Sequence, residues 1–121
     1  MTAIPKRPPE VTFLFRLETD PAIGVPSAVR PVILIQGQVG KPRRLDQEIV
    51  EQTRLDWGHQ GARPRTTAFD ILAYLFGREI AEQHHLPFYQ QIISALERED
   101  QLPASEIHDW LTKRMAVPCS R

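Results

Sequence analysis

The stretch LDWGHQGARPRTTAFDIL, residues 55–72, decides the fold that this sequence predicts. Trp57 is followed by two glycines, Gly58 and Gly61, which permit a turn with positive φ. Pro64 then restricts the backbone before an apolar segment begins. We interpret the stretch as a junction, with a strand that ends at Trp57 on one side and a helix on the other.

The helix after this junction has a start signal and an apolar surface. Thr67 and Asp70 have the spacing at which both side chains can satisfy free N–H groups in the first turn of a helix. The helix is therefore predicted to begin near Ala68 and to reach Gln83. Its first half is apolar on nearly all sides, which predicts that it is the most buried helix of the fold.

Two further helices are predicted to follow. Pro87 suits the first position of a helix, and apolar residues then recur at helical spacing as far as Leu96. Ser105 is interpreted as the N-cap of the third helix, which carries one apolar stripe. The stripe consists of Ile107, Trp110, Leu111 and Met115.

The first half of the chain carries strand patterns. Residues 11–17, VTFLFRL, and residues 29–39, VRPVILIQGQV, are rich in β-branched and aromatic residues and are bounded by Pro, Gly and Asp. They are predicted to pair antiparallel. Residues 45–57 fit either a short helix or a strand, and the alternation of Leu55 and Trp57 with polar neighbours favours a strand that ends at Trp57.

Together these elements predict an α+β fold, in which a small antiparallel sheet of two or three strands from the N-terminal half packs against three helices from the C-terminal half. A length of 121 residues is enough for one compact core. Residues 11–116 are assigned to a single domain. A proline-rich arm, residues 1–10, precedes it, and a flexible tail, residues 117–121, follows it.

Composition narrows the class of protein. Hydrophobic residues make up 41% and charged residues 25% of the chain, and no apolar run approaches the length of a membrane span. The first residues lack an apolar signal region, so a cytoplasmic protein without a membrane partner is expected. A single cysteine, Cys119, cannot form an internal disulfide. Fifteen basic residues balance fifteen acidic ones, which weakens any proposal of nucleic-acid binding through bulk charge.

The junction also resembles the signature of a family of small uncharacterised prokaryotic and phage proteins, a domain of unknown function. In that signature, Trp-Gly-aromatic-x-Gly-x-x-Pro precedes an apolar helix ending in Ile-Leu, and the resemblance continues through FYQQII to EIHDWL. His59 stands where the family has tyrosine, and Arg63, Arg65 and Asp70 replace small or apolar residues, as in a divergent member. The resemblance implies an association with phages and mobile elements but no established activity. The matching residues are Trp57, Gly58, Gly61, Pro64, Ile71 and Leu72.

Catalytic motifs are absent, so we predict that the chain is not an enzyme and has no catalytic residues, no metal and no cofactor. His84 and His85 are adjacent, so on a helix they point about 100° apart, and we interpret them as solvated residues at a helix end. The segment GHQGARP lacks the lysine and the following Ser/Thr of a phosphate-binding loop. Asp70, close in sequence to Arg65, is interpreted as a helix cap.

A protein-interaction role is predicted instead, mainly by elimination, with two candidate surfaces. One is a sheet edge formed by residues 11–17 or 32–39, which could accept a partner strand. The other is the arginine-bearing junction, whose residue types often anchor interfaces. The expected partner is a protein, as for a modulator or inhibitor of a larger complex encoded on a phage or mobile element. The candidate partner-binding residues are Arg63, Arg65, His59, Arg43 and Arg44.

Nucleic-acid binding is the alternative function. The basic loops at residues 41–44 and 63–65, with Arg54 between them, could form a stripe that binds phosphates without sequence preference. Acidic neighbours in the same segment and the absence of a basic recognition helix argue against it. The sequence does not decide between these partners and leaves the oligomeric state open.

Overall fold

The structure is a computed structural model that describes residues 9–19, 29–45 and 55–116. Within these ranges it confirms an α+β fold with an antiparallel sheet and three helices. The strands are β1 (Thr12–Thr19), β2 (Val29–Gln36), β3 (Arg43–Arg44) and β4 (Asp100–Pro103). The helices are α1 (Ala62–Phe76), α2 (Arg78–Gln91) and α3 (Ala104–Ala116), with a 3₁₀ turn at Ile93–Ala95 between α2 and β4.

The sheet of the described residues has four strands in the order β3-β2-β1-β4, all antiparallel, rather than the two or three predicted. The predicted pairing of the first two strands is confirmed, with Phe13 opposite Ile35 and Phe15 opposite Ile33. The second strand ends at Gln36, short of the predicted residue 39. The additional strand β4 comes from the C-terminal half and pairs with residues 12–15 of β1.

The core lies on one face of this sheet. Because side chains alternate across a strand, Phe13 and Phe15 point to the same face as their partners on β2, and all of them are buried. Helix α1 covers that face with Ala68, Ile71 and Leu72, which are fully buried. The prediction of an apolar, deeply buried first helix is therefore confirmed in its middle turns.

The boundaries of the first two helices differ from the prediction. Helix α1 begins at Ala62, six positions before the predicted start, and ends at Phe76. Gly77 separates it from α2 with φ 97° and ψ 167°, a conformation that is essentially restricted to glycine. Helix α2 begins directly afterwards at Arg78, so Pro87 lies inside this helix and not at its first position.

The third helix follows β4 without a loop. The N–H group of Ala104, its first residue, donates to the carbonyl of Val11 at 2.8 Å and so extends the β1–β4 pairing. Ser105 is therefore an exposed residue of the first turn and not the predicted N-cap. Ile107 and Leu111 are buried, as the apolar stripe predicted.

Several predictions fall outside the described residues, namely those for residues 1–8 of the proline-rich arm, for the tail at residues 117–121 and for residues 46–54. Leu55 and Trp57 are buried and Asp56 is partly exposed, which confirms the alternation, but residues 55–57 belong to no strand. In the described parts of the chain, no helix combines the length and apolar character needed to cross a membrane.

Candidate functional site

The junction is built around Trp57, which is fully buried, as its alternation with Leu55 predicted. Its indole ring meets Phe15 of β1 edge to face, with ring centroids 5.1 Å apart. The indole N–H group donates to the carbonyls of Glu97 and Arg98 at 2.9 and 3.2 Å. Trp57 therefore joins the core of the sheet to residues 96–99, the loop before β4.

Gly58 is required by its backbone conformation and by its surroundings. Its φ is +79°, its N–H donates to the carbonyl of Ile93 at 2.9 Å, and an added Cβ would lie 2.7 Å from the Leu96 carbonyl oxygen. Gly61 has φ 161°, which is extended, so the predicted need for positive φ is wrong at this position. Its N–H donates to the hydroxyl of Tyr89 at 2.8 Å.

Thr67 has a different role from the predicted N-cap. Since α1 begins at Ala62, Thr67 lies in the second turn, fully buried. Its hydroxyl donates to the carbonyl of Arg63 at 3.0 Å and accepts the N–H of Asp56 at 2.9 Å. Asp70 is in the middle of α1, so it is not a cap either. Thr67 therefore attaches the junction loop to the helix that follows it.

Arg98 completes the junction, and sequence reasoning missed it. One of its terminal nitrogens donates to Asp56 Oδ1 at 3.2 Å and to the Trp57 carbonyl at 2.9 Å. The guanidinium group lies 5.5 Å from the centroid of the Trp57 ring. Because Arg98 is more than 40 positions away in sequence, no local pattern could have associated it with the junction.

His59 lies beside the same carboxylate. Its Nε2 is 3.6 Å from Asp56 Oδ2, and its Nδ1 is 3.1 Å from the Trp57 carbonyl oxygen. The side chain of Asp56 is only 16% exposed, whereas that of His59 is 48% exposed. The imidazole and Pro64 border the space beside Gly61, so His59 forms part of the outer surface of the junction.

Arg63 and Arg65 are exposed in the first turn of α1, on either side of the buried Pro64. Neither side chain forms a hydrogen bond or ion pair with another described residue. The other arginine side chains that the structure describes each have such a partner or another interaction within the molecule. They are Arg16, Arg43, Arg44, Arg78, Arg98 and Arg114.

The two basic segments lie at opposite ends of α1. Arg43 belongs to β3 and donates to the hydroxyl of Tyr74 at 3.2 Å. Tyr74 lies eleven positions after Arg63, which corresponds to about 16 Å along a helix. Arg44 interacts within the molecule as well. The structure therefore does not bring Arg43 and Arg44 together with Arg63 and Arg65, and Arg54 lies outside the described residues.

The structure weakens one of the two sheet-edge candidates, β1, whereas among the described strands β3 pairs with β2 only at Leu34 and Ile35. Strand β1 is internal, because β2 and β4 flank it. On β4, the bond between Ala104 and Val11 places alternate residues towards β1, so Gln101 and Pro103 face outward. The N–H of Gln101 already donates to Asp100 Oδ1 at 2.8 Å, and proline has none. The outer side of β4 thus offers an added strand no free N–H group.

The adjacent histidines lie inside α2 and not at a solvated helix end. His84 Nδ1 accepts a hydrogen bond from Arg114 Nε at 3.2 Å, and partial burial together with this positive charge lowers the pKa of His84. His85 Nδ1 is 2.7 Å from the Ala81 carbonyl oxygen. In the described ranges, no group of three or more His, Cys, Asp or Glu residues is placed to hold a metal ion.

Comparison with known proteins places the chain by family only. No curated protein matches it, and no solved structure does. A family model with the description "Family of unknown function (DUF6166)" matches residues 27–113, a range that contains β2, the whole junction and most of α3. The resemblance of the junction sequence to a domain of unknown function is thereby confirmed, and the chain belongs to the DUF6166 family of unknown function.

Proposed function

We propose that this chain is a non-enzymatic module that binds a partner protein through the outer side of the junction, at Arg63, Arg65 and His59. The proposal rests on the exposure of Arg63 and Arg65 and on their lack of a partner among the described residues. Both are exposed, and among the arginines whose side chains the structure describes, only these two lack a partner among the described residues. Arginine is enriched among the residues that dominate binding energy at interfaces.

The position of these arginines has an electrostatic cost, which supports a role in binding. The N-terminal end of a helix carries partial positive charge and favours acidic residues. The first turn of α1 contains no acidic residue and two arginines. Residues that oppose a local rule of stability are expected at functional sites. We infer that Arg63 and Arg65 are placed for an external partner rather than for the helix.

The backbone that carries them is fixed. Thr67 bonds both the Arg63 carbonyl and the Asp56 N–H, and Arg98 and Trp57 connect the other side of the loop to residues 96–99. A surface whose backbone is already ordered loses less conformational entropy on binding. The junction therefore supplies a preorganised platform for the exposed side chains.

The geometry favours a macromolecular partner over a small anion. Arg63 and Arg65 are two positions apart on a helix, so their side chains point about 200° apart around its axis. The two side chains therefore cannot both bind one phosphate or carboxylate group. A partner surface with separate acidic groups can engage both, and Arg43 and Arg44 lie about 16 Å away, at the other end of α1.

Among the described residues, the closest arrangement to a catalytic pair is His59 with Asp56. Asp56 also accepts hydrogen bonds from Arg98 and from the Trp57 N–H, so the carboxylate is already bound. Among the described residues, His59 contacts Asp56 and the Trp57 carbonyl but no Ser, Thr or Cys that it could activate. This supports the non-enzymatic proposal. The extension to a modulator or inhibitor of a complex encoded on a phage or mobile element rests on the family resemblance alone.

Nucleic-acid binding is the second candidate, because Lys41, Arg63 and Arg65 are exposed. The two basic segments lie about 16 Å apart along α1, so they do not form the continuous stripe that this function was expected to use. Retention on heparin or a short duplex across a salt series distinguishes the two functions. Strong retention that falls steeply with salt would favour nucleic acid.

The test of the proposed function is affinity capture from the native lysate with Arg63→Glu and Arg65→Glu combined. We expect the captured partner to be lost while the melting temperature stays the same or rises slightly, because glutamate suits the first turn of a helix. Arg78→Glu with Lys113→Glu is the matched control, since both residues are exposed, lie outside the junction and change the net charge equally. Equal capture by the folded junction variant and the control would contradict the proposal.

A further inference from the structure

The loop before β4 carries acidic side chains beside the same junction. Glu97 and Glu99 are exposed, and neither carboxylate forms a hydrogen bond or ion pair with another described residue. The carbonyl of Glu97 accepts the indole N–H of Trp57 at 2.9 Å, so this loop is attached directly to the junction. On the opposite side of Trp57, Asp56 is attached to Thr67 and through it to the first turn of α1.

The outer side of the junction is therefore a bipolar surface, which we define as Arg63 and Arg65 at one end and Glu97 and Glu99 at the other. The charges between these ends, Asp56 and Arg98, neutralise each other in an internal ion pair at 3.2 Å. A polyanion would gain attraction at the arginines and meet repulsion at the glutamates. The distribution of charge fits a partner that carries both signs.

A bipolar surface is complementary to a copy of itself. Rotation by 180° brings the arginines of one copy opposite the glutamates of the other, and the reciprocal contact forms at the same time. Long-range repulsion between copies is small, because fifteen basic residues balance fifteen acidic residues in the chain. Both the local and the overall charge thus permit self-association.

We propose that a second copy of this chain binds the bipolar surface, with Arg63 and Arg65 of each copy against Glu97 and Glu99 of the other. The inference rests on the proposed function, because it uses the same surface. Its consequence is that self-association and binding of a foreign protein exclude each other. The dimer is then a form in which the arginines are covered until a partner with a more acidic surface replaces the second copy.

Analytical ultracentrifugation of two charge-reversed variants tests this proposal. Arg63→Glu with Arg65→Glu makes the bipolar surface uniformly acidic, and Glu97→Lys with Glu99→Lys makes it uniformly basic. We expect each variant alone to dimerise at least about tenfold more weakly than the original chain, because attraction becomes repulsion. An equimolar mixture should dimerise again, since both reciprocal contacts then join opposite charges.

The salt dependence of the dimer and a variant without the two acidic charges test whether electrostatic attraction holds the two copies together. Dimerisation of the original chain should weaken in about 1 M salt, where the Debye length falls to about 3 Å. Glu97→Gln with Glu99→Gln removes charge without adding any and should also weaken the dimer, which covers the case in which a reversed variant does not fold. The control Arg78→Glu with Lys113→Glu should dimerise as the original chain does.

A monomeric original chain at low salt would overturn this inference, as would a mixture of folded variants that stays monomeric. Stronger dimerisation of the Glu97→Lys, Glu99→Lys variant would overturn it as well. None of these results would remove the proposed function, which fails only if the folded Arg63→Glu, Arg65→Glu variant still captures the partner. The two failures are therefore separate observations.

Discussion

The inner and outer sides of the junction differ although their residues are neighbours in sequence. On the inner side, Trp57, Gly58 and Thr67 each have a bonded partner elsewhere in the fold. On the outer side, Arg63 and Arg65 have none among the described residues. The difference shows that one short segment can stabilise the fold on one side and present charged side chains, here the proposed binding surface, on the other. Substitutions on the inner side should therefore lower stability, and those on the outer side should not.

The largest effect is expected from Trp57→Ala. Removal of a fully buried tryptophan that packs against Phe15 should lower the free energy of unfolding by about 3 to 5 kcal/mol, which urea denaturation measures. Trp110→Ala is the control, because Trp110 is only partly buried and should lose less. Equal losses in the free energy of unfolding for the two variants would contradict this prediction. The inner side of the junction would then contribute no more to stability than a partly buried position elsewhere.

Gly58→Ala should have the next largest effect. An alanine there combines an unfavourable positive φ with a Cβ placed 2.7 Å from the Leu96 carbonyl oxygen, at a cost of about 2 to 4 kcal/mol. Gly77→Ala supplies the control, because Gly77 also has positive φ but an added Cβ would meet no atom within 4 Å. Since the φ 97° and ψ 167° of Gly77 are themselves restricted to glycine, a larger loss of stability for Gly58→Ala in thermal and urea denaturation would come from the close approach to Leu96. A Gly58→Ala variant that loses no more stability than Gly77→Ala would contradict the predicted effect of that contact.

Thr67→Val should have the smallest effect of the three. The substitution keeps the shape of the side chain but leaves the Asp56 N–H without its acceptor, which should cost about 1 to 2 kcal/mol. Thr66→Val is the matched control, because among the described residues the Thr66 hydroxyl bonds only to the Ala62 carbonyl of its own helix. Urea denaturation of both variants measures the difference in their free energies of unfolding. A Thr67→Val protein as stable as the control would show that the other contacts of the junction loop, those of Trp57, Gly58 and Arg98, are sufficient to hold it.

The sequence predicted those features that depend on local periodicity. The antiparallel pairing of the first two strands follows from two apolar, β-branched segments, and the burial of Trp57 follows from its alternation with Leu55. The helix start was wrong because Thr67 and Asp70 have the spacing of a cap. In the structure, the Thr67 hydroxyl is used for a contact with Asp56 that only the folded chain creates.

Features that depend on distant partners could not be predicted. Strand β4 has the sequence DQLP, which is too short to show an alternating pattern and ends in a residue that is unfavourable in most strands. It becomes a strand because β1 supplies the pairing partner. Arg98 is equally invisible in sequence, since its role depends on Asp56 and Trp57. The candidate arginines could be named from the sequence, but their lack of a partner among the described residues could not.

The central position of β1 has a consequence for synthesis of the protein. Arg16 of β1 and Asp100 of β4 are 84 positions apart, and at about 5 to 20 residues per second a ribosome needs roughly 4 to 17 s to connect them. During this interval β1 can pair with β2 on one side, while its other side still lacks the strand that will cover it. In the nascent chain, this side of β1 therefore exposes backbone groups that chaperones can recognise. The exposure ends only when residues 100–103 leave the ribosome.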